Sequence, residues 1–488
     1  MKILVNPTES ILILEQDPNH PQYYEEQKKI NKLQTSLAFS KPTYKKPFKG
    51  TSGGFTTETI QVLKVLMNKN GYYSFLTGFL PEIKTAYKDA GFSTPLEIEY
   101  TYIAVPENIG PICLQTALRE YQITAVASVL MGGSGLIDGC VGSGKTTCMA
   151  AILDALRAYP AIILVPSLTL LEQVKQEFKK LLNEYGILSV KEYMKNNNNC
   201  NALIGLPIHF RNVPTDVLQQ FPVFIMDEAH QSVASIAMDT IMRQNAPYKF
   251  GFTATTKGRS DGRDKFITGI FGNIVNAGNY ETLVQDGYVP KIQVELHYAS
   301  WEDDYVYMED TLIVYNKRRH AIIEKIVKRH MKVTKKPLIL ILCRRIEHVL
   351  ELQKIFPLAA IVTGEMKNDE RKNVIDEIRE LKYNIVIASS VFFQGISIPE
   401  FTMGINAAGG KSSILSEQKS GRMARGDIDR VKLWVDLYDN YTYTLERHSE
   451  DRLDVYNELY GAPELFNFPD SKYKKLKNKL FEKKYVSN

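Results

Sequence analysis

Near the first third of the chain stands Gly139-Cys140-Val141-Gly142-Ser143-Gly144-Lys145-Thr146. It fits G-x-x-x-x-G-K-[ST], the pattern of a phosphate-cradling loop. Its glycines permit a tight turn whose N–H groups point inward at phosphate oxygens. Lys145 adds a point charge for the β- and γ-phosphates, and the Thr146 hydroxyl suits a Mg²⁺ ligand. Leu136-Ile137 reads as a short strand before the loop. Residues 147–157 read as the helix after it, with Met149, Ile152, Leu153 and Leu156 on one face. Strand, loop and helix come in the order that such a site requires, and the start of the helix favours anions.

Working outward, strand and helix signals alternate. Residues 161–165 form an apolar run, and Ser167 is placed to cap a helix carrying Leu170, Leu171, Val174, Phe178 and Leu181. Val223 to Met226 is a second apolar run, ending in Asp227-Glu228-Ala229-His230; residues 249–252 are a third, ending in Thr253-Ala254-Thr255. Short apolar strands separated by helices imply a parallel sheet covered on both faces, with ligands at the carboxyl ends of its strands. The loop, the Asp-Glu pair and the threonines all fall at such ends. Asp227 suits the Mg²⁺ carboxylate and Glu228 the base for an attacking water, the parts needed for nucleoside-triphosphate hydrolysis.

The pattern then repeats without a second phosphate loop. Ile292, Val294, Leu296 and Tyr298 alternate as a bridging strand. A second α/β series runs through 338–343, 344–356, 359–362, 368–381, 384–388, 412–424 and 431–437. Gly409-Gly410-Lys411-Ser412 lacks the first glycine of a phosphate loop and is discounted, as is the plain turn Gly132-Gly133-Ser134-Gly135. Within the second series, Gln418-Lys419-Ser420-Gly421-Arg422-Met423-Ala424-Arg425 places Arg422 and Arg425 three apart, so one helix face would carry both. Such a pair suits neutralisation of γ-phosphate charge.

The first 100 residues carry no chemical motif. Residues 3–5 and 10–14 read as strands, 56–70 and 81–90 as helices, and 41–54 as a basic loop with Tyr44 and Phe48, open to either nucleic acid or solvent. At the other end, Lys472, Lys474, Lys475, Lys477, Lys479, Lys483 and Lys484 crowd a short stretch whose readings are a solvated tail or a phosphate-backbone contact. The expected divisions are 1–100, a small α+β accessory domain; 101–298 and 299–465, the two α/β units; and 466–488, a basic tail.

Bulk properties set the limits. The 488 residues, 44% hydrophobic and 24% charged, have ordinary globular composition with room for about three domains. No apolar run is long enough for a membrane span and no secretory signal pattern opens the chain, so a cytoplasmic location is expected. Cys113, Cys140, Cys148, Cys200 and Cys343 are scattered, which argues against a zinc ribbon and a disulfide framework. A net charge of +5 is too weak to identify a polyanionic partner.

Together these motifs resemble the superfamily 2 helicases and translocases over roughly residues 101–440. Leu118-Arg119-Glu120-Tyr121-Gln122 looks like their adenine-recognition segment, with Gln122 reading the base. Gly139 to Thr146 matches motif I, Val165 to Thr169 with Gln173 motif Ia, Asp227 to His230 the DEAH form of motif II, and Thr253 to Thr255 motif III. Cys343-Arg344-Arg345 stands in the place of motif IV, followed by Val362-Thr363-Gly364-Glu365. Ser389-Ser390 through Gln394-Gly395-Ile396-Ser397 looks like motif V, and Gln418 to Arg425 motif VI. Two departures stand out: Ile204-Gly205-Leu206 is the best place for motif Ib, and Ser397 stands where many relatives carry aspartate. Within the superfamily the chain looks most like phage branch-migration helicases of the UvsW type and, more distantly, RecG. Asn316-Lys317-Arg318-Arg319, Lys411-Ser412 and the Phe48-Lys49-Gly50-Thr51 segment carry that likeness.

The resemblance implies two tandem RecA-like parallel-sheet motor domains behind a small α+β N-terminal domain. It implies an ATP hydrolase with ATP and Mg²⁺, working as a monomer on DNA, branched DNA in particular, and no membrane. By position, Arg119, Gln122, Gly139, Gly142, Ser143, Gly144, Lys145, Thr146, Thr147, Gly395 and Gln418 are expected to bind the nucleotide, and Thr146 and Asp227 the metal. Lys145, Asp227, Glu228, Arg422 and Arg425 are expected to carry the catalysis. His230, Thr253 and Thr255 are expected to couple nucleotide state to the rest of the chain, and Ser167, Thr169, Arg344, Thr363 and Gly364 to touch nucleic acid. Stacking candidates for separating strands are Trp301, Tyr305 and Tyr307, with Phe392 and Phe393, for which packing in the core is the favoured reading. Other readings are an RNA helicase, a duplex translocase within a larger complex, and a nucleotide-gated binding protein without turnover.

Overall fold

The computed structural model describes every residue except 14–22, 45–57, 64, 70–71, 93–94, 197–199, 255–264, 301–308, 390–400, 411–415, 417–418, 425 and 487–488. Among the described residues the N-terminal region holds β1 (Lys2–Val5), β2 (Glu9–Ile13), β3 (Phe39–Tyr44), β4 (Glu58–Leu63), β5 (Met67–Lys69), β6 (Tyr72–Leu76) and β7 (Glu97–Tyr100). Five of them form one sheet in the order β5-β6-β2-β1-β7, antiparallel except where β7 runs parallel to β1. Helices Tyr23–Leu37 and Leu80–Asp89 supply Ile30, Leu33, Ile83 and Tyr87 to a core shared with Ile3, Val5, Leu12 and Phe75.

One expectation here is overturned. The spacing over residues 56–70 predicts a helix; β4 and β5 stand there instead, and β4 pairs with β3 from Phe39↔Leu63 to Tyr44↔Glu58. The segment carries Thr57, Thr59, Ile60, Val62 and Val65, β-branched residues that favour an extended backbone. Its apolar spacing fits a period of two as readily as one of 3.6, and strand pairing decides between them. The 81–90 helix is present as Leu80–Asp89.

The first α/β unit holds β8 (Gly135–Asp138), β9 (Ala161–Leu164), β10 (Ile187–Ser189), β11 (Ala202–Gly205), β12 (Val223–Asp227), β13 (Tyr248–Thr253) and β14 (Ile274–Asn276). They lie in the order β10-β11-β9-β12-β13-β8-β14, all parallel. The side chains of β9, β11, β12 and β13 are buried throughout. This is what helices on both faces require, and it is why these strands read as continuous apolar runs. The N-terminal region packs on this unit. Gly78 lies so close to the carbonyls of Thr268 and Gly269 that an added Cβ would stand 2.1 and 2.7 Å from them. Phe79 meets Phe266 edge-on, and Lys249, at the start of β13, donates to the Pro7 carbonyl.

The second unit repeats the architecture with β15 (Ile292–Ala299), β16 (Ile339–Leu342), β17 (Ala360–Val362), β18 (Ile385–Ala388), β19 (Met403–Asn406), β20 (Lys432–Asp439) and β21 (Glu464–Phe466). Their order is β17-β18-β16-β19-β20-β15-β21, again all parallel. β15, which the alternation alone makes a bridging strand, lies inside this sheet between β20 and β21. Accordingly the compact units comprise Met1–Gly139 with Lys145–Ala277, and Cys140–Gly144 with Gly278–Asn488, a division earlier than the expected 298–299. The expected basic tail is largely a helix, Asp470–Val486. Two parallel-sheet RecA-like domains behind an α+β N-terminal region agree with the fold class expected. Among the described residues, no helix is long and apolar enough to cross a membrane.

Candidate functional site

The register of the first sheet assembles the motif I, II and III residues. β12 and β13 pair with Asp227 opposite Phe252, and β13 and β8 pair with Thr253 opposite Asp138, the residue before the loop. The carboxyl ends of three adjacent strands therefore present the start of the phosphate loop, Thr253 and Asp227 side by side. The Gly139 N–H donates to the Thr253 carbonyl at 3.0 Å, tying the loop's first residue to β13. Within the loop, Gly142 (φ +91°) and Gly144 (φ +80°) adopt the left-handed conformation that a side chain would strain. The helix Lys145–Ala155 starts directly after them, and Lys145 Nζ donates to the Gly139 carbonyl at 2.7 Å.

Asp227 is buried at the end of β12, and its Oδ1 accepts from the Glu228 N–H at 2.9 Å. Burial, reinforced by the charge of Glu228, pushes the Asp227 carboxyl up to about 6, against the pull of Lys145. Glu228 itself sits at φ 51°, ψ 51°, a left-handed conformation uncommon for a residue with a side chain and typical of functional turns. His230 Nδ1 lies 3.3 Å from Glu228 Oε2 and 3.2 Å from Thr253 Oγ1. Asp227 thus feels the charge of both Lys145 and Glu228, while Glu228 faces His230. That donor set fits a dication held by one carboxylate, the Thr146 hydroxyl and phosphate oxygens, the sparse protein ligation usual for Mg²⁺. Among the described residues no group of three or more His, Cys, Asp or Glu side chains forms an all-protein metal cage.

Other expected residues have local jobs. Gln122 is buried, and its Oε1 accepts from the Arg119 N–H at 2.9 Å, capping the helix Glu120–Met131; the Arg119 guanidinium donates to Tyr121 Oη at 3.0 Å. Ser167 Oγ accepts from the Leu170 N–H at 3.3 Å and caps Leu168–Leu181, as its position implies, while Thr169 is half-exposed in the first turn. In the second unit Arg344 is exposed just past β16. Thr363 is buried past β17, and the exposed Gly364 accepts from Arg371 through its carbonyl at 3.3 Å. Arg422 is half-buried in a tight turn, Gly421–Met423, and not on the regular helix expected. Thr255, Gly395, Gln418 and Arg425 lie outside the described residues, as do Ser397, Phe392, Phe393, Trp301, Tyr305, Tyr307 and the 48–51 and 411–412 segments.

A buried charge network beneath the motif VI turn escapes sequence reasoning. Lys419 Nζ donates to Asn406 Oδ1 at 3.0 Å and the Gly409 carbonyl at 3.3 Å, and Asn406 donates on to Asp436 at 3.0 Å. Arg452 and Tyr456 also converge on Asp436, at 2.8 and 2.7 Å, and Arg319 pairs with Asp439 at 2.9 Å. Burial pulls the Lys419 ammonium down to about 7 against the opposing charge of Asp436. The available signal is charged residues at core-facing positions of β20 and the helix Tyr443–Tyr460.

Comparison with known proteins agrees with this geometry. Residues 115–258 match the family described as type III restriction enzyme, res subunit, and residues 318–427 match the helicase conserved C-terminal domain. The chain is 24% identical over 385 residues to the DNA 3'-5' translocase XPB2 of Sulfurisphaera tokodaii, covering 68% of this chain and 84% of that protein. It is 24% identical over 398 residues to the ATP-dependent DNA helicase uvsW of Enterobacteria phage T4, covering 71% and 76%. Among solved structures, a fragment of a putative HsdR subunit of a type I restriction enzyme from Vibrio vulnificus superposes with a TM-score of 0.55 at 20% identity, over 73% of this chain and 69% of that one. With a phosphate loop, a DEAH segment and a helicase C-terminal domain in this order on two parallel-sheet units, the chain belongs to the superfamily 2 helicases and is an ATP-hydrolysing enzyme.

Proposed function

We propose that this enzyme is a DNA-dependent motor that remodels branched DNA, moving forks and four-way junctions in the manner of a phage branch-migration helicase of the T5 type. The observation that carries the reading is the constellation at the carboxyl ends of β8, β13 and β12, joined to a likeness spanning 71% of the chain to the phage T4 DNA helicase. The XPB2 likeness supports DNA as the polynucleotide. We take the enzyme to act as a monomer in the host cytoplasm.

In this reading the loop N–H groups from Gly139 to Thr147 and the Lys145 ammonium hold the triphosphate, and Arg119 and Gln122 stand at the base. Thr146 and Asp227 would hold Mg²⁺, which supplies charge neutralisation between the phosphates. Glu228, placed by its left-handed backbone, orients and deprotonates the attacking water. Arg422 and Arg425 of the second unit stabilise charge as the γ-phosphoryl group leaves. Gly395 and Gln418 complete the nucleotide contacts. His230, Thr253 and Thr255 pass the state of the phosphates to the chain. Ser167, Thr169, Arg344, Thr363 and Gly364 hold the polynucleotide through phosphates, contacts that position it without reading sequence.

The test is phosphate release in the presence of a four-way junction, a linear duplex of equal length or a single-stranded RNA. Strongest stimulation by the junction supports the proposal. Equal stimulation by linear duplex makes the protein a duplex translocase, and strongest stimulation by RNA makes it an RNA helicase.

A further inference from the structure

The helix Asp470–Val486 has two unlike faces. Leu476 and Leu480, one turn apart, are buried against Leu296 of β15, Tyr438 of β20 and Leu453. The lysines flanking that seam are consumed by carboxylates of the helix Tyr443–Tyr460. Lys472 pairs with Glu446 and, at 3.8 Å, with Glu450, and Lys479 pairs with Asp454 at 3.1 Å. These contacts fix the helix on the second sheet and neutralise the acidic groups nearest to it. Lys474, Lys475 and Lys477 are exposed, and none of the three forms an ion pair among the described residues. Lys477 Nζ stands 5.3 Å from the centre of the Tyr473 ring, on its own helix.

The inner lysines are spent on the acidic groups beneath the helix, which leaves Lys474, Lys475 and Lys477 exposed and without an ion pair among the described residues. Anchoring the helix in advance removes part of the backbone ordering cost that a mobile tail would meet on binding. Phosphates attract lysine as a point charge without bidentate geometry.

We propose that the outer face of Asp470–Val486 is a docking surface for the phosphate backbone of DNA, with Lys474, Lys475 and Lys477 as its contacts. The inference rests on the reading of the enzyme as a DNA motor and adds a grip outside the helicase motifs. It contributes affinity that depends on salt and is indifferent to sequence.

The test compares full-length wild type with two triple variants that lose equal charge. One is Lys474→Gln, Lys475→Gln and Lys477→Gln. The other is Lys325→Gln, Lys328→Gln and Lys332→Gln, on the exposed side of the helix Lys317–Val333. That helix pairs Arg329 with Glu295 of β15, so it lies on the opposite sheet face from Leu296. Glutamine keeps helix propensity, so both variants should fold. Duplex DNA affinity is measured by anisotropy across a salt series. Each lysine that no longer neutralises a phosphate lowers the log–log salt slope by about 0.9, so the tail variant should show a slope shallower by roughly 2–3, while the second variant keeps the wild-type slope. An unchanged slope in the tail variant, or an equal fall in both, overturns the proposal. Wild type that binds duplex DNA with a steep salt slope but shows no DNA-stimulated phosphate release would count against the motor reading and leave the docking surface standing.

Discussion

His230 Nδ1 stands 3.2 Å from Thr253 Oγ1, and the same threonine accepts the Gly139 N–H through its carbonyl at 3.0 Å. One residue at the end of β13 thus touches both the DEAH segment and the first residue of the phosphate loop. Replacing the hydroxyl by a methyl in Thr253→Val keeps the backbone contact and removes the side-chain one. If the pair carries coupling, DNA stimulation of phosphate release falls by about tenfold, the equivalent of one hydrogen bond of ~1.4 kcal/mol, while basal turnover stays within about twofold. Equal loss of basal and stimulated rates would give Thr253 a structural role only.

Lys249 anchors β13 to the N-terminal region, and burial pulls its ammonium down from 10.5 to about 7. The unfolded chain keeps that proton up to the ordinary value, so between pH 7 and 10.5 the folded state binds fewer protons and stability rises with pH. Below pH 7 the burial penalty is present in full. Relative to Lys249→Met, the wild-type protein should gain on the order of 2 kcal/mol between pH 7 and 9, read from urea midpoints. Parallel pH profiles for the two proteins would show that the ammonium is not penalised.

In the second unit His320 and His348 stack with ring centres 5.4 Å apart, and both nitrogens of His348 are buried with no hydrogen-bond partner among the described residues. Burial, with Arg319 nearby, holds His348 well below 6.5; burial likewise takes His330 down to about 4. Imidazoles held neutral bind fewer protons folded than unfolded, so stability is intact above about pH 6.5 and is lost as pH falls toward 4. His348→Phe keeps a ring and removes one such group. Its thermal midpoint should fall less than that of wild type between pH 6.5 and 5; an equal fall would remove His348 from the acid response.

Much of the fold is legible because strands buried on both faces appear as unbroken apolar runs. Val223 to Met226 and residues 161–165 declare the first sheet, and the loop and Asp227 then fall at its strand ends by topology. What stays hidden depends on long-range pairing. Residues 58–63 carry a spacing that serves helix or strand, and only pairing with Phe39–Tyr44 chooses. Ile292–Ala299 alternates identically whether it bridges two units or enters one, and β20 decides that. Lys419 looks like a solvent lysine because its partners, Asn406 and the Gly409 carbonyl, stand ten or more residues away in sequence, beyond the reach of local periodicity. Gln122 matches a base-reading position yet also fits a capping box with Arg119, a second use that the motif alone does not reveal.

The central claim is that the Gly139-to-Thr146 loop drives turnover that a polynucleotide accelerates. Steady-state phosphate release by wild type and Lys145→Ala, each with and without junction DNA, tests it most directly. Wild type should be stimulated at least tenfold by DNA, and Lys145→Ala should lose at least a hundredfold in stimulated rate while still binding DNA, about 2.7 kcal/mol of transition-state stabilisation. Full DNA-stimulated turnover in Lys145→Ala would contradict the account.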